Sequence, residues 1–309
     1  MQRLSETLFR SLLDQMDTFL FDCDEKSFYT VKNKRIILVT NNSSHTQKSY
    51  FEKCRKMGFS IQSEENVVTT STVCCDYLRN FLQYSGKVYV IGSPGLGEEL
   101  VRFGYSHLGI GVWLVHAIHV KISITKGDFV KAVIVGIDVH LSYAKVLKAT
   151  TYLANPECHF LATNDDARFP GLHPSIVFPG AGAMVAAVKT SAKREPIVMG
   201  KPNKPIFDYV KSRFNIDINK TIMIGDSVLK SPSRDQSARC GGEASEEEVP
   251  VPELIQENSE LQTDIAFAKS TGLKSLLVLS GNTKLDDVGT NDIVPDYFTD
   301  SVADFCHFA

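Results

Sequence analysis

The sequence of 309 residues contains no apolar run long enough to span a membrane. Its N-terminus has no basic region, apolar core or small-residue cleavage site of a signal peptide. These absences argue against a membrane span and a secretory leader, and the expectation is a soluble, cytoplasmic protein. No C-x-x-C occurs. The seven cysteines (Cys23, Cys54, Cys74, Cys75, Cys158, Cys240 and Cys306) are odd in number and irregularly spaced. That speaks against a disulfide framework and for reduced thiols. Neither sign of charge dominates. With 33 Lys and Arg against 36 Asp and Glu, the net charge of −3 gives no electrostatic reason to expect nucleic acid or a membrane surface as partner. What is present is the composition of an ordinary globular protein, 43% hydrophobic and 22% charged, in a chain long enough for two domains.

The chain is organised around Thr18-Phe19-Leu20-Phe21-Asp22-Cys23-Asp24. Four residues suited to a buried strand run into two carboxylates one residue apart. At the carboxyl end of a parallel strand, both acids face the crevice where open α/β sheets bind ligands. Two carboxylates this close can share a divalent cation, leaving one free as a nucleophile and the other to pass a proton. Taken alone, Asp22 and Asp24 read more readily as a strand end and a turn or helix cap, so motifs farther along the chain must decide.

A helix is expected over 4–16, from the four-residue recurrence of Leu4, Leu8 and Leu12, with Ser5 as N-cap. The strand Arg35–Val39 then ends in Thr40-Asn41-Asn42-Ser43-Ser44, where a hydroxyl, two amides and a helix start suit an oxyanion. A helix over 46–57 comes next, with Gly58 as its C′ residue. Further on come a helix near 72–83, strands at Lys87–Gly92, Lys131–Asp138 and Cys158–Asn164, and a helix over 142–153. The run 109–125 is apolar, carries the only tryptophan (Trp113) and follows neither helical nor strand periodicity; His116 and His119 within it lack the neighbours of a metal site. Residues 167–179 read as a proline-rich loop leading to Gly180-Ala181-Gly182, whose glycines are better explained by close helix packing than by phosphate binding. Lys201 follows the short strand beginning at Ile197, a helix spans 204–213, the strand Thr221–Gly225 ends at Asp226, and a last strand covers Leu273–Leu279. Strands alternating with helices in this way indicate a parallel α/β sheet.

Four strand ends thus present D-x-D, T-N-N, a lysine and G-D in that order. Carboxylates at Asp22, Asp24 and Asp226 suit Mg²⁺, and Lys201, Thr40, Asn41 and Asn42 suit phosphate oxygens. Phosphoryl transfer calls for this combination, because positioning and charge neutralisation dominate its catalysis.

On these motifs, and on V-G-I-D-V-H-L-S-Y-A-K, A-T-N-D-D, G-K-P-N-K-P-I-F and T-D-I-A-F-A-K-S-T-G-L-K, nearly the whole chain resembles the haloacid-dehalogenase-like phosphatases. The nearest group is that of phosphoglycolate, pyridoxal and para-nitrophenyl phosphatases. The resemblance implies a Rossmann-like parallel-sheet core, 1–81 and 196–309, with a large α/β cap inserted at 82–195 that commonly mediates a homodimer. It implies Asp22 as the nucleophile forming an aspartyl-phosphate and Asp24 as the general acid and base. Thr40, Asn41 and Lys201 would hold the phosphate of a small phosphorylated metabolite. Mg²⁺ would be held by Asp22, the Asp24 carbonyl and Asp226. Phe169 stands where pyridoxal phosphatases carry a substrate-contacting histidine, which with T-N-N-S-S leans towards 2-phosphoglycolate over pyridoxal 5′-phosphate.

The chain departs from the family in three places. The glycine and flap expected after the second aspartate are replaced by Glu25 and only ten residues up to Lys34, too few for a typical crossover helix. Asp226 and Asp264 stand 38 positions apart where the family has five. The insert, 228–260, is polar and acidic, with seven Glu and no Lys or Arg between Glu243 and Glu260, and reads as a disordered loop. The apolar run at 109–125 also replaces a polar cap segment. These departures define a second reading, a catalytically impaired homologue that binds or dimerises. They define a third as well, a chain left unstable because one sheet face is uncovered.

Overall fold

The computed structural model describes residues 1–22, 34–56, 61–112, 130–169, 177–225, 264–279 and 293–301. The expectations for Asp24, the segment after it, Gly58, Trp113 to Thr125 with its two histidines, Asp226 and the insert 228–260 lie outside these residues. So does the side chain of Phe169.

The chain opens with β1 (Gln2–Arg3) and α1 (Glu6–Gln15), the helix capped where the Ser5 hydroxyl accepts the Leu8 N–H at 3.3 Å. β2 (Thr18–Phe21) is buried at all four positions, as a strand covered on both faces must be. β3 (Arg35–Thr40) pairs with it in parallel, Phe19 opposite Ile36 and Phe21 opposite Leu38. α2 (Gln47–Lys56), β4 (Val67–Thr69) and α3 (Thr70–Asp76) come after it. The helix expected from 72 starts two residues earlier and passes at Tyr77 into a wider turn, in which the Leu82 N–H reaches the Tyr77 carbonyl.

Next come β5 (Lys87–Ile91), α4 (Pro94–Arg102), β6 (His107–Leu108), β7 (Val130–Val135), α5 (Tyr143–Leu153) and β8 (His159–Ala162). The segment read as a plain loop holds a short antiparallel pair, β9 (Arg168–Phe169) and β10 (Phe178–Pro179). After α6 (Ala181–Ala192) come β11 (Ile197–Val198), α7 (Lys204–Phe214) and β12 (Thr221–Gly225). α8 (Asp264–Thr271), β13 (Lys274–Val278) and β14 (Tyr297–Thr299) complete the described chain.

Two parallel sheets result. The larger has the order β1-β14-β13-β12-β2-β3-β4, the smaller β11-β8-β7-β5-β6. In the larger sheet the chain leaves β2 towards β3 and β4 on one side, then returns to build β12, β13 and β14 on the other. The switch point, where ligands gather in open α/β sheets, therefore lies between β2 and β12.

Both faces of β2 are covered. Phe19 and Phe21 pack with Phe9 and Leu12 of α1 and Tyr50 and Cys54 of α2, all nearly inaccessible. Leu20 joins Ile37 and Val39 in a second cluster on the opposite face. The uncovered sheet face expected from a shortened connection is not what β2 and β3 show: α1, which precedes β2, and α2, which follows β3, supply the apolar cover. Four described cysteines, Cys54, Cys74, Cys75 and Cys158, are buried. No described helix is long and apolar enough to cross a membrane.

Candidate active site

Asp22 is the first residue past β2, its main-chain N–H bonded to the Ile224 carbonyl of β12 at 3.2 Å. Its carboxylate therefore opens at the switch point. Lys201, three residues beyond β11, reaches the same place although its side chain is only 1% exposed. The ammonium lies 3.1 Å from Asp22 Oδ1 and 2.6 Å from Asp264 Oδ1. Burial alone would push the lysine pKa down. The two carboxylates overcome that and hold it well above the ordinary value, so Lys201 is a fixed cation.

Asp264 opens α8 and is completely buried. Its carboxylate lies over Gly225, where an added Cβ would collide with Asp264 Oδ2. That approach is why the residue before Asp226 must be glycine. The large sequence separation between Asp226 and Asp264 has not removed the second aspartate from the site.

The loop after β3 contributes in more varied ways. Asn41 faces Lys201 as an amide clamp: its Oδ1 accepts the Lys201 N–H at 2.7 Å and its Nδ2 donates to the Lys201 carbonyl at 3.0 Å. The same Nδ2 also donates to Asp166 Oδ2 at 3.0 Å. Both hydrogens of this amide are thus engaged by protein, and they do not face an incoming phosphate as the sequence suggested. Thr40 is buried beneath the loop, its hydroxyl accepting the Asn42 N–H at 3.1 Å. Asn42 Oδ1 accepts both the N–H and the hydroxyl of Ser44, at 2.8 and 2.6 Å, and fixes the turn into α2.

Asp22, Asn41, Asn42 and Lys201 line one cavity of about 930 Å³. Its far wall comes from the smaller sheet: Asp138 and His140 after β7, Asp166 after β8, and the start of α6. Thr40 is not part of the lining. Gly180 and Gly182 have no room for a Cβ, which would run into the carbonyls of Asp166 and Asp165. Close helix packing is the role these two glycines play.

The comparisons with known proteins bear on this geometry. A model described as haloacid dehalogenase-like hydrolase matches residues 26–106, and a second, HAD-hydrolase-like, matches 198–230 and 260–305. Glycerol-3-phosphate phosphatase of Gallus gallus is 34% identical, over 98% of this chain and 95% of that protein. Phosphoglycolate phosphatase 2 of Arabidopsis thaliana is 33% identical, over 98% and 96%. The chain belongs to the haloacid dehalogenase-like hydrolase family. Among solved structures, 4-nitrophenylphosphatase from Thermotoga maritima superposes with a TM-score of 0.70 at 23% identity, covering 96% of this chain and 98% of that one. Glycerol phosphate phosphatase from Mycobacterium tuberculosis, solved in complex with magnesium, gives 0.67 at 20%, over 94% and 77%. The haloacid dehalogenase-like fold is thus a parallel-sheet core with the smaller sheet inserted as a cap.

Within that fold, the donors at the mouth of β2 are carboxylate oxygens, the hard ligands that suit Mg²⁺. Among the described residues no three His, Cys, Asp or Glu converge as a metal site, Asp24 and Asp226 lying outside them. Sequence reasoning read Asp264 as a displaced second carboxylate and left its reach open, and it missed the part played by Asp166. The A-T-N-D-D motif contained the signal for Asp166. Its neighbours Asn164 and Asn41 are far apart in the chain, so the signal needed the fold to be read.

Proposed function

We propose that this phosphoric monoester hydrolase acts on small phosphorylated metabolites of the 2-phosphoglycolate kind, with Asp22 as the nucleophile that takes the phosphoryl group. The observation that carries the reading is the placing of Asp22 and the buried Lys201 3.1 Å apart at the switch point, on the wall of a cavity able to admit a small ester. A carboxylate beside a permanent cation is poised to attack a phosphorus whose oxygens that cation holds. Lys201 binds and orients the phosphate, Asp264 keeps the lysine charged and in place, and Asn41 fixes its main chain.

Mg²⁺ fits the carboxylate character of the site and would be held by Asp22, the Asp24 carbonyl and Asp226. When bound, it neutralises charge on the transferring group. The role of Asp24 as general acid and then base, and phosphate contacts from Thr40 and Asn42, remain part of the proposal, whereas Asn41 acts through the Lys201 main chain. So does the core–cap division at 82–195, and the pairing of β11 with β8 supports a second boundary slightly later, near Val198. A homodimer through the cap is proposed from the family resemblance; light scattering on the purified chain tests it, and a monomer at every concentration rejects it.

Mg²⁺-dependent hydrolysis of 2-phosphoglycolate, glycerol 3-phosphate and para-nitrophenyl phosphate tests the activity, with Asp22→Asn as control. Removing a nucleophile is expected to lower turnover by roughly a thousandfold or more while leaving the fold intact. Equal turnover by Asp22→Asn would show that another group does the chemistry. A folded wild type with no turnover on any of the three esters would reject the enzyme reading for this chain.

A further inference from the structure

We propose that Asp166, a carboxylate carried by the cap, is a positioning residue that sets Lys201 through Asn41; the inference rests on the proposed function above. Asp166 follows β8 of the cap sheet, Asn41 follows β3 of the core sheet, and the hydrogen bond between them joins residues 125 positions apart. One carboxylate oxygen, Oδ2, accepts two amide N–H groups, from Asn41 at 3.0 Å and from Asn164 at 2.6 Å. Asn164 is oriented in turn, because its Oδ1 accepts the Thr163 hydroxyl at 2.8 Å. The main chain under Asp166 cannot drift, since the first turn of α6 lies against the carbonyls of Asp165 and Asp166 with no space for a Cβ.

The consequence falls on the amide of Asn41. Its Oδ1 anchors the Lys201 N–H and its Nδ2 the Lys201 carbonyl, so one amide fixes the main chain from which the phosphate-binding lysine projects. Asp166 takes the second Nδ2 hydrogen and thereby selects the rotamer in which both Lys201 contacts form. Without it, a partly buried N–H loses its acceptor, and the amide is held by Lys201 alone. Asp166 also lines the cavity, 8% exposed, so the loop that steadies the lysine is part of the cavity wall. The phosphate site is complete only when this part of the cap is seated on the core.

The test is a double-mutant cycle on the full chain, read as hydrolysis of para-nitrophenyl phosphate. Asp166→Ala is expected to lower kcat by roughly 10–100-fold without lowering the thermal midpoint. Asp166→Asn, which keeps an acceptor oxygen in place, is expected to stay within about threefold of wild type. In an Asn41→Ala background (or Asn41→Ser, should the alanine chain not fold) Asp166→Ala is expected to cost less than about twofold, because its route to Lys201 is already gone. Losses that multiply across the two sites would overturn the inference, as would an Asp166→Ala enzyme as fast as wild type. If wild type hydrolyses nothing, the proposed function fails by itself. The same cycle is then read as affinity for inorganic phosphate, with non-additivity supporting the inference and additivity overturning it.

Discussion

Asp166 carries a cost that its contacts only partly offset. Burial pushes its carboxyl up, Asn164, Asn41 and Lys201 pull it back and Asp165 adds to the rise, leaving it at about 6. The unfolded chain releases this proton near the ordinary aspartate value of about 3.9. The native state therefore holds the proton more tightly, and the group's contribution to stability is lost as pH rises from about 4 through 6. Asp166→Asn removes that titration. It is expected to stabilise the protein at pH 7.5 by up to about 2–3 kcal/mol and to give no gain at pH 4, measured by denaturant unfolding at both values. The same shift at both pH values would show that burial of charge is not the cause. Lys201 is the opposite case: buried more deeply still, it keeps its charge because Asp22 and Asp264 flank it.

At the scale of elements, the turn between β7 and α5 is secured by a buried ion pair. Lys145, in the first turn of α5, meets Asp138 Oδ2 at 2.5 Å, with the two side chains 0% and 3% exposed. Asp138 Oδ1 also accepts the His140 N–H, so the pair shapes the stretch that lines the far wall of the cavity. Lys145→Met leaves that carboxylate buried without its cation and is expected to cost about 3–5 kcal/mol in urea unfolding. Adding Asp138→Leu should recover most of it, whereas no recovery would mean that packing of the introduced methionine, not the stranded charge, was at fault.

Elements of this length were readable in advance. α1, α5, α6 and α7 and the strands β2, β3, β5, β7 and β12 follow from apolar runs, caps and strand-end motifs. β1, β6, β9, β10 and β14 are two or three residues long, too short to show a period, and exist through their partners. In the site, D-x-D and G-K-P located Asp22 and Lys201. Asn41 was located too, but its engagement with the Lys201 main chain was not legible, because an amide in a loop carries no sign of which partner it will face.

Across the whole molecule, one apolar cluster runs through both sheets. Leu20, Ile37 and Val68 of the core belong to the same buried group as Val90, Ile134 and Leu161 of the cap, joined through α3, α4 and α7. Core and cap are therefore expected to unfold together. Circular dichroism and the near-ultraviolet absorbance of the buried tyrosines Tyr50, Tyr89 and Tyr152 should give coincident urea transitions, and two separated transitions would show that the cap unfolds on its own. The joint between them is also short. Val198 still pairs in the cap sheet, Lys201 already stands in the site, and Met199 and Gly200 alone separate them, a reach of about 10 Å when fully stretched. Lys201 is thus tethered to the edge of the cap. A swing of that edge beyond the slack of two residues must either drag the ammonium away from Asp22 or peel β11 from β8, so the hinge and the phosphate grip share one length of backbone.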